Sequence, residues 1–496
     1  MPALRLDAAL GLVLLAVAAA QAAEPLAIGS RLELMVDDYL VEHLSGAAAF
    51  RMQQPVPREI VLTLDAPWEG NGCGYVTVLR DGETYRMYYR GHQMNLAGNK
   101  VADAHPTTTC VAESKDGVHW TKPELGLIEF AGSTRNNIVR IGELCHDFSP
   151  FVDANPACRP EARYKAVAAA GFRKGLLAFQ SPDGLRWTPM NDGKPIITQG
   201  AFDTQNIAFW DAERGEYRAY VRDFRDGVRD IKTATSKDFI TWTAPAWLVY
   251  PGAPREHLYT NQIRPYHRAP HLFIGFPTRY IDRGWSPAMK ALPEPEHREL
   301  RARVNRRYGT ALTEGLLMTS RDGLTFRRWP EAFLRPGLRL KDNWKYGDNY
   351  IAWHAVETRS HLPNSPDELS LYATEGYWTG ASVHIRRYTL RMDGFVSASA
   401  PMSGGELVTR PFTFAGKHLL LNMSTSAAGG IRVEIQDAEG KPLKDRTLAD
   451  CPEIFGDTLE HIVTWNNGSD LGPLAGTPVR LRIALRDADL FALRFR

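Results

Sequence analysis

Long apolar stretches are missing from this chain of 496 residues once its first two dozen positions are passed. Crossing a bilayer takes roughly 20 consecutive apolar residues, so no membrane partner is expected. The one short apolar run, Ala8 to Ala20, follows Arg5 and gives way to Ala20-Gln21-Ala22. A cation, a brief apolar core and small residues at a cut site form the pattern of a secretory signal peptide. Residues 1–22 are therefore expected to be removed, leaving a secreted or periplasmic protein. No Cys stands near the cut, which argues against a lipid anchor.

Cysteine is scarce as well. Five residues permit disulfides in an exported protein but cannot be its framework. Their positions predict two bridges, Cys145 to Cys158 across a short Pro-containing loop and Cys73 to Cys110 bracketing one sheet, with Cys451 free. No Cys and His spacing resembles a zinc site, so neither metal nor other cofactor is expected. An excess of one charge is absent: 59 Lys and Arg stand against 57 Asp and Glu, scattered along the chain. That leaves no basic footprint for nucleic acid. Helical periodicity is nearly absent after the leader.

What remains is β-structure with a repeat. Short alternating runs such as ETYRMYYRG, RYKAVAAAG and EYRAYVRD recur between turn signals. The segments Glu113–Trp120, Gln180–Trp187, Thr235–Trp242 and Thr319–Phe326 share one template: Ser, any residue, Asp, usually Gly, two more, then an aromatic. The template is a hairpin, with φ > 0 at the Gly and the Ser and Asp oxygens tying the turn amides. These positions are structural. Their spacing suits propeller blades of four strands. A fifth unit ends at Asp393-Gly394, and Leu32 to Val41 is expected to close the ring against the strand before it. After Phe395 the template stops and alternating strands predict a β-sandwich. The reading is all-β: a five-bladed β-propeller over 23–396 followed by a C-terminal β-sandwich over 397–496.

The innermost strand of each blade lines the axis, and here the blade starts are polar. They carry Glu69, Asp153, Asp203, Asn206, Glu256, His257, Asn261 and Asp348. Burying such groups unpaired costs about 1–3 kcal/mol each, so their convergence on a solvated axial pocket is expected. Cleaving a glycosidic bond takes two carboxyl groups. Twelve Trp supply aromatic faces of the kind that stack on sugars.

The Ser-x-Asp-Gly-x-x-Trp hairpins, the opening VDDYLVE, the PWEGNG-to-YRMYYRG unit and the AFDTQNIAFWD-to-YRAYVRD unit resemble bacterial secreted proteins related to glycoside hydrolase family 32. Those belong to a wider five-bladed group that includes families 43, 68, 117 and 130. The resemblance implies a secreted glycosidase acting on a carbohydrate chain end. At the places of the family's motifs stand Trp68–Gly72, Arg222-Asp223-Phe224 and Glu256-His257. The expected roles are Glu256 as acid, Asp203 or Asp153 as partner carboxylate, and Arg222 and Asp348 as tuning groups. Glu69, Asn206, His257 and Asn261 would bind substrate. The alternatives are a carbohydrate-binding propeller without catalysis and an interaction scaffold.

Overall fold

The computed structural model describes residues 24–97, 99–341 and 343–496. The expected leader at 1–22 lies outside the described residues. Nearly all regular structure is β. The described α-helices are α1 (Pro287–Lys290), α2 (Pro295–Val304) and α3 (Arg307–Thr310). None of them is long and apolar enough to cross a membrane.

Five antiparallel meanders follow one another along the chain. The first runs through Gly74–Asp81, Thr84–Gly91, Thr108–Ser114 and Trp120–Thr121, with Ile138–Ile141 added beside its third strand. The second comprises Ser149–Val152, Tyr164–Ala169, Leu176–Ser181 and Thr188–Pro189, and the third Ile207–Asp211, Glu216–Arg225, Val228–Ser236 and Ala246–Trp247. The fourth, Arg264–Tyr266, Ala269–Gly275, Met318–Ser320 and Arg327–Arg328, is interrupted by a small sheet of His257–Leu258, Thr278–Asp282 and Ala311–Gly315 that carries α1 to α3. The fifth is Val356–Thr358, Glu368–Glu375 and Val383–Arg391, completed by Val56–Leu64 from the start of the chain.

The repeated template forms the hairpin expected of it and does a second job. In the first copy Ser114 Oγ accepts from Gly117 N at 2.9 Å, and Asp116 Oδ1 accepts from Val118 N and His119 N at 2.8 Å. The Trp120 indole donates to Gly117 O at 3.0 Å. That same carbonyl also accepts from Tyr372 of the fifth sheet at 2.6 Å. Tyr88 of the first sheet donates likewise to Gly184 O of the second at 3.0 Å, and Tyr220 of the third to Gly323 O of the fourth at 2.9 Å. Tyr217 of the third sheet donates to Asp153 of the second at 2.7 Å, and Tyr266 of the fourth to Asp393 of the fifth at 2.7 Å. Each of the five meanders is thus latched to the next by a buried tyrosine hydroxyl.

The closing strand differs from the sequence expectation. Val56–Leu64, not Leu32–Val41, pairs with Val383–Arg391. Along Leu32–Val41, the side chains of Leu32, Leu34 and Val36 enter the core of the fourth and fifth sheets, while Met35, Leu40 and Val41 enter the C-terminal core. A segment buried on both faces belongs between two bodies and not at an outer edge. VPREIVLTL, half exposed, has the pattern of the edge. The remaining strands form a ten-stranded sheet that takes Leu26–Gly29, Glu33–Leu34, Val41–Gly46 and Ala49–Met52 from the start of the chain and Val396–Phe495 strands from its end. A boundary at 396/397 therefore divides what the pairing joins.

All five cysteines are free. Cys73 and Cys110 lie two strands apart, with Thr84–Gly91 between their positions; that is about 10 Å, beyond disulfide reach. Cys145 and Cys158 stand at opposite ends of the strand Ser149–Val152.

Candidate functional site

Ahead of or within the innermost strand of every meander a non-glycine residue is in the left-handed region: Tyr75, Leu144, Phe202 and Gln262, at φ 52°, 69°, 59° and 47°, and in the fifth both Asn349 and His354, at 61° and 84°. None is glycine, so each conformation costs about 1–2 kcal/mol, a strain typical of functional mouths. At Tyr75 the register with Thr84–Gly91 slips between Gly74 and Thr77, a bulge that re-aims the tyrosine. Its ring meets His146 at 5.2 Å and Tyr350 at 6.3 Å; Tyr259 meets Tyr350 at 5.6 Å and its hydroxyl accepts from that of Tyr346 at 2.8 Å. Starts of the first, second, fourth and fifth meanders are thereby drawn into one tyrosine-lined cup. At its floor a cavity of about 20 Å³ is bounded by Tyr75, Arg90, Tyr346, Tyr350 and Tyr377. That is room for about one water molecule.

The third meander adds Asp203, whose side chain is 48 % exposed. Arg222 reaches its carboxylate at 3.2 Å and also its backbone carbonyl. Asn206 fixes the loop from below. It donates to Phe202 O and Thr204 O at 2.8 Å and to Asp147 at 3.2 Å, and accepts from Arg222 N at 3.1 Å. Asp147 is buried and also accepts from Ala169 N at 3.1 Å. Burial pushes its pKa up to about 7, against the pull of those two hydrogen bonds and with help from the charge of Asp203. His146 is open to the cup. The crowded surroundings, and after them the charges of Arg90, His92 and Arg222, push its pKa well below the ordinary range, leaving a neutral imidazole. Asp348 lies under Tyr377, whose amide it accepts at 2.8 Å, and its second oxygen has no partner. Burial raises it to about 8.

No family model matches the chain. An uncharacterized protein of Mycobacterium tuberculosis is 28% identical over 142 residues, 27% of this chain and 40% of that protein. The chain thus spans about two fifths of the length of the curated relatives it matches. Similar solved structures include a thermostable family-43 glycoside hydrolase, with a TM-score of 0.41 and 12% identity over 67% of this chain and 94% of that one. The catalytic domain of a GH62 α-L-arabinofuranosidase from Coprinopsis cinerea has a TM-score of 0.41 and 10% identity over 69% and 99%. A structure described within the GH130 family has a TM-score of 0.36 and 14% identity over 71% and 96%. These three are of families 43, 62 and 130, not 32.

Of the residues singled out from sequence, Asp203, Asn206 and Arg222 meet at the cup. His257 lies at its rim, accepting from Arg229 N at 3.1 Å and packed against Tyr280. Asp348 is beneath it, and Asn261 is buried, bonded to backbone alone. Three carboxylates are elsewhere. Glu256, the expected acid, gives its two oxygens to Arg279 at 3.0 Å and Arg328 at 2.6 Å. Because His257 turns toward Tyr280, its neighbour Glu256 points to the opposite face of the strand pair. Asp153 follows the strand that Asp147 precedes, which sets the two about 20 Å apart; its carboxylate is occupied by Lys165 and Tyr217. Glu69 is buried against Lys122 and Tyr89, both at 2.6 Å. The five carboxylates do not converge. Asp147, His146, Arg90 and the tyrosines went unrecognised, although HDFSPF carries the first two in plain view. Their signal was position, ahead of a strand instead of after it. Among the described residues no three His, Cys, Asp or Glu side chains gather as metal ligands.

Proposed function

We propose that this chain is an exported glycoside hydrolase acting on terminal sugars, its five meanders the blades of a five-bladed β-propeller and its ten-stranded sheet the accompanying β-sandwich. The sheet-to-sheet tyrosine latches support the architecture. One observation carries the functional reading: Asp203 opens onto a cup of tyrosine faces, and Asn206 ties the protonatable Asp147 to the Phe202 and Thr204 carbonyls on either side of Asp203. Sugar rings offer apolar faces to aromatic side chains and hydroxyls to charged acceptors. Glycoside cleavage requires one carboxylate and one carboxylic acid near neutral pH. In this reading Asp203 is the nucleophile or base, Asp147 supplies the protonated carboxyl, and Arg222 with Asn206 orients both. The likeness to family 32-like proteins belongs to the same proposal.

The test is Asp203→Asn against a panel of oligosaccharides. Turnover should fall by about 10³-fold or more while binding persists, since charge is removed and shape kept. Turnover within tenfold of wild type would remove Asp203 from the mechanism. A second reading, sugar binding without catalysis, is favoured by the burial of Asp147, only 1% exposed, which leaves Asp203 as the single open carboxylate of those discussed. Binding by the wild-type protein with no product from any glycan would establish it.

A further inference from the structure

The cup holds more positive charge than its open carboxylate can balance. Arg90, 6% exposed, lies over the Tyr75 ring at 4.9 Å and donates to Gly72 O. Arg222, 1% exposed, lies over Tyr259 at 5.2 Å. Arg229 covers Tyr259 at 5.3 Å and Tyr280 at 4.9 Å, and Arg307 of α3 covers Tyr346 at 5.5 Å and Tyr308 at 5.0 Å. Among the described residues, Arg222 alone of these four has a carboxylate within ion-pair distance, that of Asp203. Buried nitrogens without any hydrogen-bond partner remain on three of them: Nε and Nη1 of Arg222, Nε of Arg229 and Nε of Arg307.

Such donors are costly to leave unmade, more so when charged. The guanidinium planes are fixed by stacking on tyrosine rings, so their N–H edges are oriented before any ligand arrives. A neutral sugar would give these edges hydroxyl oxygens and leave the charge uncompensated. An oxyanion would satisfy both, because planar guanidinium groups pair two N–H donors with two oxygens of one carboxylate or sulfate. Asp203 cannot do this alone, being committed to Arg222 on one side of the cup.

We propose that the ligand of this cup is a glycan bearing an acidic substituent, a uronic carboxylate or a sulfate ester, held by Arg222, Arg229 and Arg307. This rests on the reading of the cup as a carbohydrate site. Arg229 and Arg307 come from different elements, the third meander and the helical insertion of the fourth, so the anion would sit between them and above Tyr259 and Tyr346.

Binding to the full chain is measured by calorimetry with three sets of oligosaccharides of equal length: uronic (from polygalacturonate, alginate and hyaluronan), sulfated (from carrageenan) and neutral (cello- and galacto-oligosaccharides). At least one acidic set should bind about tenfold or more tighter than the neutral set at low salt, and the advantage should shrink as ionic strength rises. Which acidic set binds distinguishes carboxylate from sulfate. Arg229→Gln and Arg307→Gln should each weaken that binding about tenfold or more in protein that still melts cooperatively, and should weaken it more than they weaken binding of the neutral set. The inference is overturned if no acidic set outbinds the neutral one, or if both variants bind the acidic ligand as wild type does. Acidic ligands bound but never cleaved would uphold it while removing the hydrolase reading. Neutral glycans cleaved with acidic ones ignored would do the reverse.

Discussion

Two aspartates under the cup are kept protonated by burial. Ordinary aspartate titrates near pH 4, whereas Asp147 is raised to about 7 and Asp348 to about 8. The folded chain therefore binds these protons more tightly than the unfolded chain does. Their contribution to stability is complete below about pH 4, declines as pH rises, and is gone once pH passes the raised values. The melting temperature should accordingly drop between about pH 4 and pH 8. Asp348→Asn offers a clean check, since its free oxygen has no partner to lose. The variant should melt close to wild type at pH 5 and higher by about 2 °C or more at pH 9. An unchanged slope of melting temperature against pH would show that Asp348 is not held neutral. Sequence could not have supplied this. Asp147 and Asp153 flank the same strand and are chemically identical, and only the direction of the strand decides which faces the cup and which is consumed by Lys165 and Tyr217. Glu256 lies against Arg279 and Arg328 for a related reason, because a polar blade start says nothing about which face of the strand each residue takes.

At the scale of elements, the Ser-x-Asp-Gly hairpin was legible because all its bonds are local: Ser181, Asp183, Gly184 and Trp187 satisfy one another within a single turn. Its second function was not legible, since the tyrosine that completes it comes from a different sheet, 96 positions away for Tyr88 and Gly184. Nor were the left-handed kinks, which occur at Tyr75, Leu144, Phe202 and Gln262, residues that carry no turn signature. The latch makes a measurable distinction. Tyr88→Phe removes one buried hydroxyl bond while Gly184 O keeps the Trp187 indole as donor, which should cost about 1 kcal/mol. Asp183→Ala removes the acceptor of two turn amides and should cost a similar amount. Neither residue touches the cup, so kcat and KM of the folded fraction should match wild type. Denaturant melts with parallel activity assays measure both quantities. A large loss of turnover in a variant that remains folded would mean that the hairpins reach the site by a route the hydrogen bonds do not reveal.

For the whole molecule, the succession of β-units was readable from the repeat, while the way the chain closes on itself was not. The repeat marks where each unit lies but says nothing of the strands outside it. Those strands, Leu26–Gly29 through Ala49–Met52, pair with strands from the far end: Phe412–Phe414, Val479–Phe495, Gly405–Thr409 and Val396–Ala400. Between them Leu32, Leu34 and Val36 bury against Tyr388, Phe395 and Ala492, so one segment is shared by both cores. It follows that the meanders should not stand alone when residues 397–496 are removed. Truncation after residue 396 would strip partners from four N-terminal strands and uncover Met35, Leu40 and Val41, which pack in the C-terminal core. Exposed edge strands with apolar faces aggregate. The truncated chain should therefore be insoluble or lack a cooperative thermal transition, whereas the full chain melts as a unit. Adding the separate 397–496 fragment would not rescue it, because that fragment lacks the N-terminal strands that fill its own sheet. A soluble truncated chain with a cooperative melt near the wild-type temperature would mean that the shared segment contributes little, and that the sequence boundary at 396 was the physical one after all.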